Sequence, residues 1–356
     1  MLAETAATLT KKGITVFVEP GAGNAAFCFD ADYEAAGVVV KERNEILDLA
    51  DVILHINPIP LNELNVRSKI LIGVYQPLFN AKLMKEYATA GLIVFSLDML
   101  PRTTRAQTMD VLSSQANVAG YKAVLLASNL YARYFPMLMT AAGSIKPARV
   151  LILGAGVAGL QAIATAKRLG AVVEVFDTRH AVKEEVMSLG AKFIEVEGAV
   201  DAVGAGGYAV DQTEEYKKKQ KEKIAETIAK ADIVITTAQI PGMKAPILVT
   251  EEMISTMRKG SVIIDLAAAT GGNTPVTKNN EVIDVQGITI AGNSYLPATM
   301  PYDSSKLYGK NILNFLALIT GKENDLHLNW DDDLVTGCCI TKDGEIINQR
   351  VKSLLH

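Results

Sequence analysis

Apolar positions in the first hundred residues fall in short β-branched runs separated by stretches of helical period. This is the pattern of strands alternating with helices in a parallel sheet. The spacing predicts strands at residues 15–18, 38–40, 52–56, 70–74 and 92–95, with helices at about 2–12 and 81–90. The domain therefore opens with a helix, where a doubly wound domain usually opens with a strand. An Ala-rich apolar stretch over 113–139 has helical spacing, broken near its end by Pro136. A second block predicts six strands at 150–153, 172–176, 192–196, 233–237, 262–266 and 289–291, followed by a long helix at 304–319 and an irregular tail. Two long helices flanking the second block carry the chain out of the first domain and back. The expected fold is thus α/β, with two doubly wound parallel-sheet (Rossmann-type) domains and a cleft between them. The first domain is discontinuous, comprising residues 1–113 and 305–356; the second spans 114–304.

The composition fits two such domains. The chain has 356 residues, 49% hydrophobic and 21% charged, enough for two cores at roughly 150 residues each. A formal net charge of -4 offers no broad basic face, which argues against nucleic acid as a partner. The longest apolar runs, 88–97 and 312–319, fall short of the roughly 20 residues that span a bilayer. Glu4 interrupts the amino terminus, so no signal peptide is expected there. The three cysteines, Cys28, Cys338 and Cys339, have neither the number nor the spacing for a disulfide framework or a zinc site. No metal is expected, and the compartment implied is reducing, hence cytoplasmic.

Chemistry enters with Gly154-Ala155-Gly156-Val157-Ala158-Gly159, set between an apolar strand and a helical run. Gly154 makes the tight turn, Gly156 admits a pyrophosphate close to the backbone, and Gly159 lets helix and strand pack closely. Eighteen residues beyond Gly159 comes Asp177, followed by Thr178 and Arg179. A carboxylate here accepts ribose hydroxyls, each charged hydrogen bond contributing about 1.5–3 kcal/mol, and repels a 2′-phosphate. NAD(H) is favoured over NADP(H), with Arg179 as a competing influence. Gly21-Ala22-Gly23 lacks the third glycine and a following helix, and reads as a plain loop. Two further loops, one with Thr237, Ala238 and Gln239 and one from Leu266 and Ala267 to Asn273, are small enough for a flat ring to approach. Their composition is equally that of ordinary loops.

The polar segment 101–113, at the expected domain junction, is similar to the Arg-Gln-Asp loop of the NAD(H)-binding component of proton-translocating NAD(P) transhydrogenases. The matching residues are Arg102, Gln107, Asp110 and Ser113, continuing to Tyr121. The similarity extends in order through 154–159, 183–193, 206–209, 216–220, 236–242, 260–273 and 300–315. It implies direct hydride transfer between NAD(H) on this chain and NADP(H) on a partner domain. Proton translocation is then assigned to a separate membrane subunit, since the chain stops at His356. A homodimer, peripheral on the cytoplasmic face of the inner membrane, is also implied.

By the same resemblance, Arg102 and Asp110 form an ion pair with Arg102 near the pyrophosphate. Gln107 holds the ribose on the nicotinamide side, Ser113 contacts the carboxamide, and Tyr208 sits on a closing lid. Exchange between two nicotinamides needs no proton transfer at the reacting carbons, so apposition and exclusion of water are what the protein must supply. In keeping with this, none of His55, His180, His327 and His356 falls in a catalytic pattern. Alanine dehydrogenase shares the fold, but similar members carry a histidine in a loop that here reads Val74-Tyr75-Gln76-Pro77-Leu78. Three departures from the family pattern stand out. The strand that usually precedes the first helix is missing, which implies lowered stability, and Ala269 and Thr299 replace polar or basic residues.

Overall fold

The computed structural model describes residues 1–64, 69–196 and 213–355. The chain divides into two compact units, Met1–Gln115 with Met300–His356, and Ala116–Thr299. Both are α/β.

The second unit is built on a seven-stranded sheet ordered Lys192–Phe193, Val172–Phe176, Arg149–Leu153, Ile233–Thr236, Val262–Asp265, Ile288–Ala291, Val282–Val285. All neighbours pair in parallel except the last two strands. The chain enters at Arg149–Leu153, builds outward on one side, then returns to build on the other. The order therefore reverses between Arg149–Leu153 and Ile233–Thr236, where ligands bind at the carboxyl ends of strands in such sheets. Val150 and Ile152 feed one core, Leu151 and Leu153 the other. A strand covered on both faces must be apolar at every position, because successive side chains point to opposite sides.

The extra strand, Val282–Val285, is not announced by the apolar pattern. Gln286 and Gly287, both at positive φ, make a two-residue turn that pairs Val285 with Ile288, the geometry of a tight hairpin. The helix expected over 113–139 is Val111–Leu130. Beyond it the chain forms a two-stranded hairpin, Leu138–Thr140 with Gly143–Ile145. Pro136 lacks an N–H and disfavours helix in the residue before it, so helical spacing there had no helix to report.

In the first unit, strands Val52–Leu54, Ile70–Gly73 and Ile93–Ser96 run parallel. The two earlier strands do not join them. Phe17–Val18 and Val39–Val40 form their own parallel pair, beside a small core of Leu2, Ala6, Tyr33 and Val38. The tail is structured, which corrects the irregular reading. Cys339–Lys342 pairs antiparallel with Ile93–Ser96, and Glu345–Ile346 adds an edge through the Asp343-Gly344 turn. Cys339 and Ile340 are fully buried. Helix Pro301–Ile319 carries its proline at the first turn, where a missing N–H costs nothing. Among the described residues, no helix is long and apolar enough to cross a membrane.

Candidate dinucleotide site

The fingerprint turn forms as its glycines require. Gly154 has φ +107°, and a Cβ there would lie 2.3 Å from the Thr237 hydroxyl oxygen. A Cβ on Gly159 would lie 1.9 Å from the Gly154 carbonyl oxygen. Gly156 instead faces open space, and helix Val157–Arg168 starts on it with no side-chain cap. Its first-turn N–H groups are thus left to an anion. One participant could not be read from the sequence. Gly120, in helix Val111–Leu130, has no room for a Cβ, which would sit 2.1 Å from the Ala158 carbonyl oxygen. The helix therefore passes the turn at backbone contact.

Asp177 is nearly buried and ties this turn to the next strand. Its Oδ2 accepts from the Ala155 N–H (2.7 Å) and from Arg179 Nη2 (2.7 Å). Its Oδ1 accepts from the Arg179 backbone N–H (2.8 Å) and from Nε (2.9 Å). The hydrogen bond to Asp177 holds the Arg179 guanidinium above its ordinary value. Both oxygens are engaged, so ribose hydroxyls would share or displace the Arg179 contacts. Alongside lies a concavity of about 210 Å³, lined by Asp177, Thr178, His180, Phe193, Val196 and Tyr216 among others.

The two loops at the reversal point are held from beneath. The Thr237 hydroxyl donates to the Leu153 and Gly154 carbonyls, both at 3.3 Å. The Gln239 amide donates to the Leu266 carbonyl at 2.7 Å. Asn273 is fully buried. Its Oδ1 accepts from the Ala238 N–H (3.1 Å), and its Nδ2 donates to the Ala238 and Pro246 carbonyls (2.9 and 2.8 Å). Its amide therefore serves the loop backbone. Beneath it is Asp265, which sequence reasoning missed. This buried carboxylate accepts from the N–H groups of Ala267 (3.0 Å) and Asn273 (2.7 Å) and from the Thr277 hydroxyl (2.6 Å). An acid ending the apolar run Val-Ile-Ile-Asp was the available signal, since an unpaired buried charge is prohibitively costly.

In the other unit, the Arg-Gln-Asp segment forms a 3₁₀ turn, Thr104–Met109. Ala106 and Met109 enter the core, while Arg102 and Gln107 stay exposed. Asp110 caps the following helix, accepting from the Ser113 N–H (2.9 Å) and hydroxyl (2.6 Å). The structure thus brings Asp110 and Ser113 together as a capping pair, a duty that the resemblance did not announce for Asp110. Tyr208 lies outside the described residues. A polar cluster sits at the ends of neighbouring strands: Ser96 Oγ accepts from the Tyr75 N–H at 2.9 Å and donates to Asp98. Burial pushes the Asp98 carboxyl up. The phenol oxygens of Tyr75 and Tyr308 are buried without a hydrogen-bond partner among the described residues.

Family models decide what this arrangement belongs to. Residues 1–119 match the alanine dehydrogenase/PNT N-terminal domain and residues 123–349 the C-terminal domain. The chain belongs to the alanine dehydrogenase/PNT family. Within the family it is 44% identical to the first portion of a divided NAD(P) transhydrogenase subunit alpha from Rickettsia prowazekii, over 98% of this chain and 92% of that protein. The crystal structure of transhydrogenase from Sinorhizobium meliloti superposes with a TM-score of 0.87 at 44% identity, covering 97% of this chain and 94% of that one. Alanine dehydrogenase of Mycolicibacterium smegmatis is more distant, 25% identical over 97% of this chain and 90% of that protein.

Proposed function

We propose that this chain is the NAD(H)-binding component of a proton-translocating NAD(P) transhydrogenase. It would pass hydride directly between its own NAD(H) and NADP(H) held by a partner domain. The observation that carries the reading is 44% identity across nearly the whole length of a transhydrogenase alpha chain, together with a fingerprint turn closed by Asp177. The residues present fit the dinucleotide. Gly154, Ala155, Gly156, Val157, Ala158 and Gly159 would hold the pyrophosphate at the open helix end. Asp177, Thr178 and Arg179 would hold the adenosine ribose, with the neighbouring concavity for its base. Thr237, Ala238, Gln239, Leu266 and Ala267 would frame the nicotinamide side, and Asn273 would keep that frame in shape.

Bound NAD(H) supplies the hydride chemistry. What the chain's own residues do is orient and exclude water, and orientation alone can lower a barrier by about 7–11 kcal/mol. Gln107 would steady the ribose next to the ring, Arg102 would reach toward the phosphates, Ser113 toward the carboxamide, and Tyr208 would close over the nucleotide. Asp110 would hold Ser113 in place through the hydrogen bonds already described. Proton coupling would belong to a transmembrane subunit, and this chain would sit peripherally on its cytoplasmic face. The transhydrogenase relatives are named as one portion of a subunit alpha, hence of a larger enzyme, which supports partner chains. Exposed Met139 and Ile145 on the hairpin support a homodimer, which elution volume on a sizing column checks.

The deciding experiment mixes the chain with its NADP(H)-binding partner, NADH and an NADP analogue. Exchange should occur only with the partner present, and Gln107→Ala should lower it by about 10²-fold. No exchange, or tighter binding of NADP(H) than of NAD(H) to the isolated chain, would overturn the reading. Pyruvate and ammonia should not support NADH oxidation, because the loop Val74-Tyr75-Gln76-Pro77-Leu78 holds no histidine to act as a base.

A further inference from the structure

We infer that Arg105, clamped by Asp332 and Asp333 of the C-terminal segment, is a positioning residue that sets the direction of Gln107. The inference rests on the reading that Gln107 works at the reacting ring. A 3₁₀ turn repeats every three residues, so Ala106 and Met109 share one face of Thr104–Met109, and both are buried. Gln107 projects elsewhere and is exposed. What fixes that direction is a hold on each side of it.

On one side, Arg105 makes a planar fork on a single carboxylate. Its Nη1 donates to Asp332 Oδ2 at 2.8 Å and its Nη2 to Asp332 Oδ1 at 2.6 Å, with a further contact to Asp333. This carboxylate is not free to follow the arginine. Its side chain is 11% exposed, and its Oδ1 also caps helix Asp333–Cys338 by accepting from the Leu334 N–H at 2.8 Å. Leu334, Val335 and Cys338 root that helix in the core. On the other side, the Thr108 carbonyl accepts from two amides of helix Pro301–Ile319, Asn311 Nδ2 (2.8 Å) and Asn314 Nδ2 (3.0 Å). Residues 105 and 108 are thus pinned to elements far away in sequence, and the Gln107 side chain lies between the pins.

Arg105 is half exposed, and ion pairs of that kind add little to stability. A guanidinium fork on an immobile carboxylate does add direction, which an ammonium cannot reproduce. Loss of the fork should therefore appear in turnover far more than in folding.

The test compares Arg105→Ala, Arg105→Lys and Asp332→Asn in the full chain with its NADP(H)-binding partner. Asparagine is itself a good helix cap, so Asp332→Asn removes the charged fork and spares the helix. Arg105→Ala and Asp332→Asn should each lower kcat by about tenfold, with KM for NADH within about twofold, since small misplacements near a reacting centre cost rate. Arg105→Lys should fall between them and wild type, and the double variant should be no worse than either single. Amide hydrogen exchange over residues 104–109 should speed up in both while the melting point holds. Unchanged kcat in folded Arg105→Ala, or a raised KM with intact kcat, would overturn the clamp. If Gln107→Ala proves harmless, the role of the loop is wrong; amide exchange unchanged by Arg105→Ala would then separately show that no clamp exists.

Discussion

Three acids lie at or just beyond the carboxyl ends of strands, and their surroundings give each a different duty. Asp177 and Asp265 are paired with donors on all sides and stitch loops together, whereas Asp98 is pushed toward its neutral form by burial. A carboxyl raised in the folded state contributes stability that is complete below its unfolded value, about 3.9, and is lost as pH rises through the folded value. Asp98→Asn should therefore melt higher relative to wild type at pH 7 than at pH 4. A melting-point difference that stays constant between those pH values would contradict this. Asp332 has the opposite sign, held low chiefly by its hydrogen bond to Arg105, so its contribution is present at neutral pH and fades only in acid. Gly159→Ala sets two effects against each other. Alanine gains about 1 kcal/mol of helix propensity, but the clash is with backbone that cannot swing aside, and overpacking costs about 1–3 kcal/mol. The clash should win, lowering the urea midpoint and weakening NADH binding in a fluorescence titration. The glycines of the fingerprint were legible because each answers to its local turn. Gly120 was not, since in a helix nothing local marks a glycine that another backbone must approach.

Elements were readable wherever their own period was uninterrupted. The six parallel strands of the second unit stand out because strands covered on both faces must be continuously apolar, and only their ends moved by a residue or two. The misses share a cause. Val282–Val285 and Glu345–Ile346 are edge strands, with alternating or short apolar patterns, and they are announced mainly by their turns, Gln286-Gly287 and Asp343-Gly344. Helix Val111–Leu130 passes the fingerprint turn at Gly120, so Gly120→Ala should push the two apart. It is expected to weaken NADH affinity by about tenfold and to destabilise by about 1–3 kcal/mol, read from urea unfolding. The inserted strand Cys339–Lys342 bears on stability in the same way. Ile340→Ala, fully buried, should cost about 2–5 kcal/mol, whereas a disordered tail would have tolerated it without change.

The molecule as a whole carries two α/β units with separate cores, and only the second holds the fingerprint. NADH at a hundred times its Kd should add about 2.7 kcal/mol to the stability of the state that binds it. In calorimetry NADH should raise the melting transition more than NADPH does, while equal shifts would remove the specificity assigned to Asp177. The sequence by itself determined the α/β class, the division into two units, the phosphate-binding turn and its distant acid. All of these follow from rules acting within a few residues: the period of apolar positions, the turn that demands glycine, the helix that starts where a strand ends. Only the tertiary structure decided that the tail enters the first sheet, where Thr341 hydrogen-bonds Leu92 across 249 positions. It also decided that the earliest strands pair apart, that Asp110 caps a helix, and that Arg105 is held by Asp332. Such partnerships join groups whose separation along the chain carries no signal, and they are selected by which buried edge or charge is left needing a partner once the rest has packed.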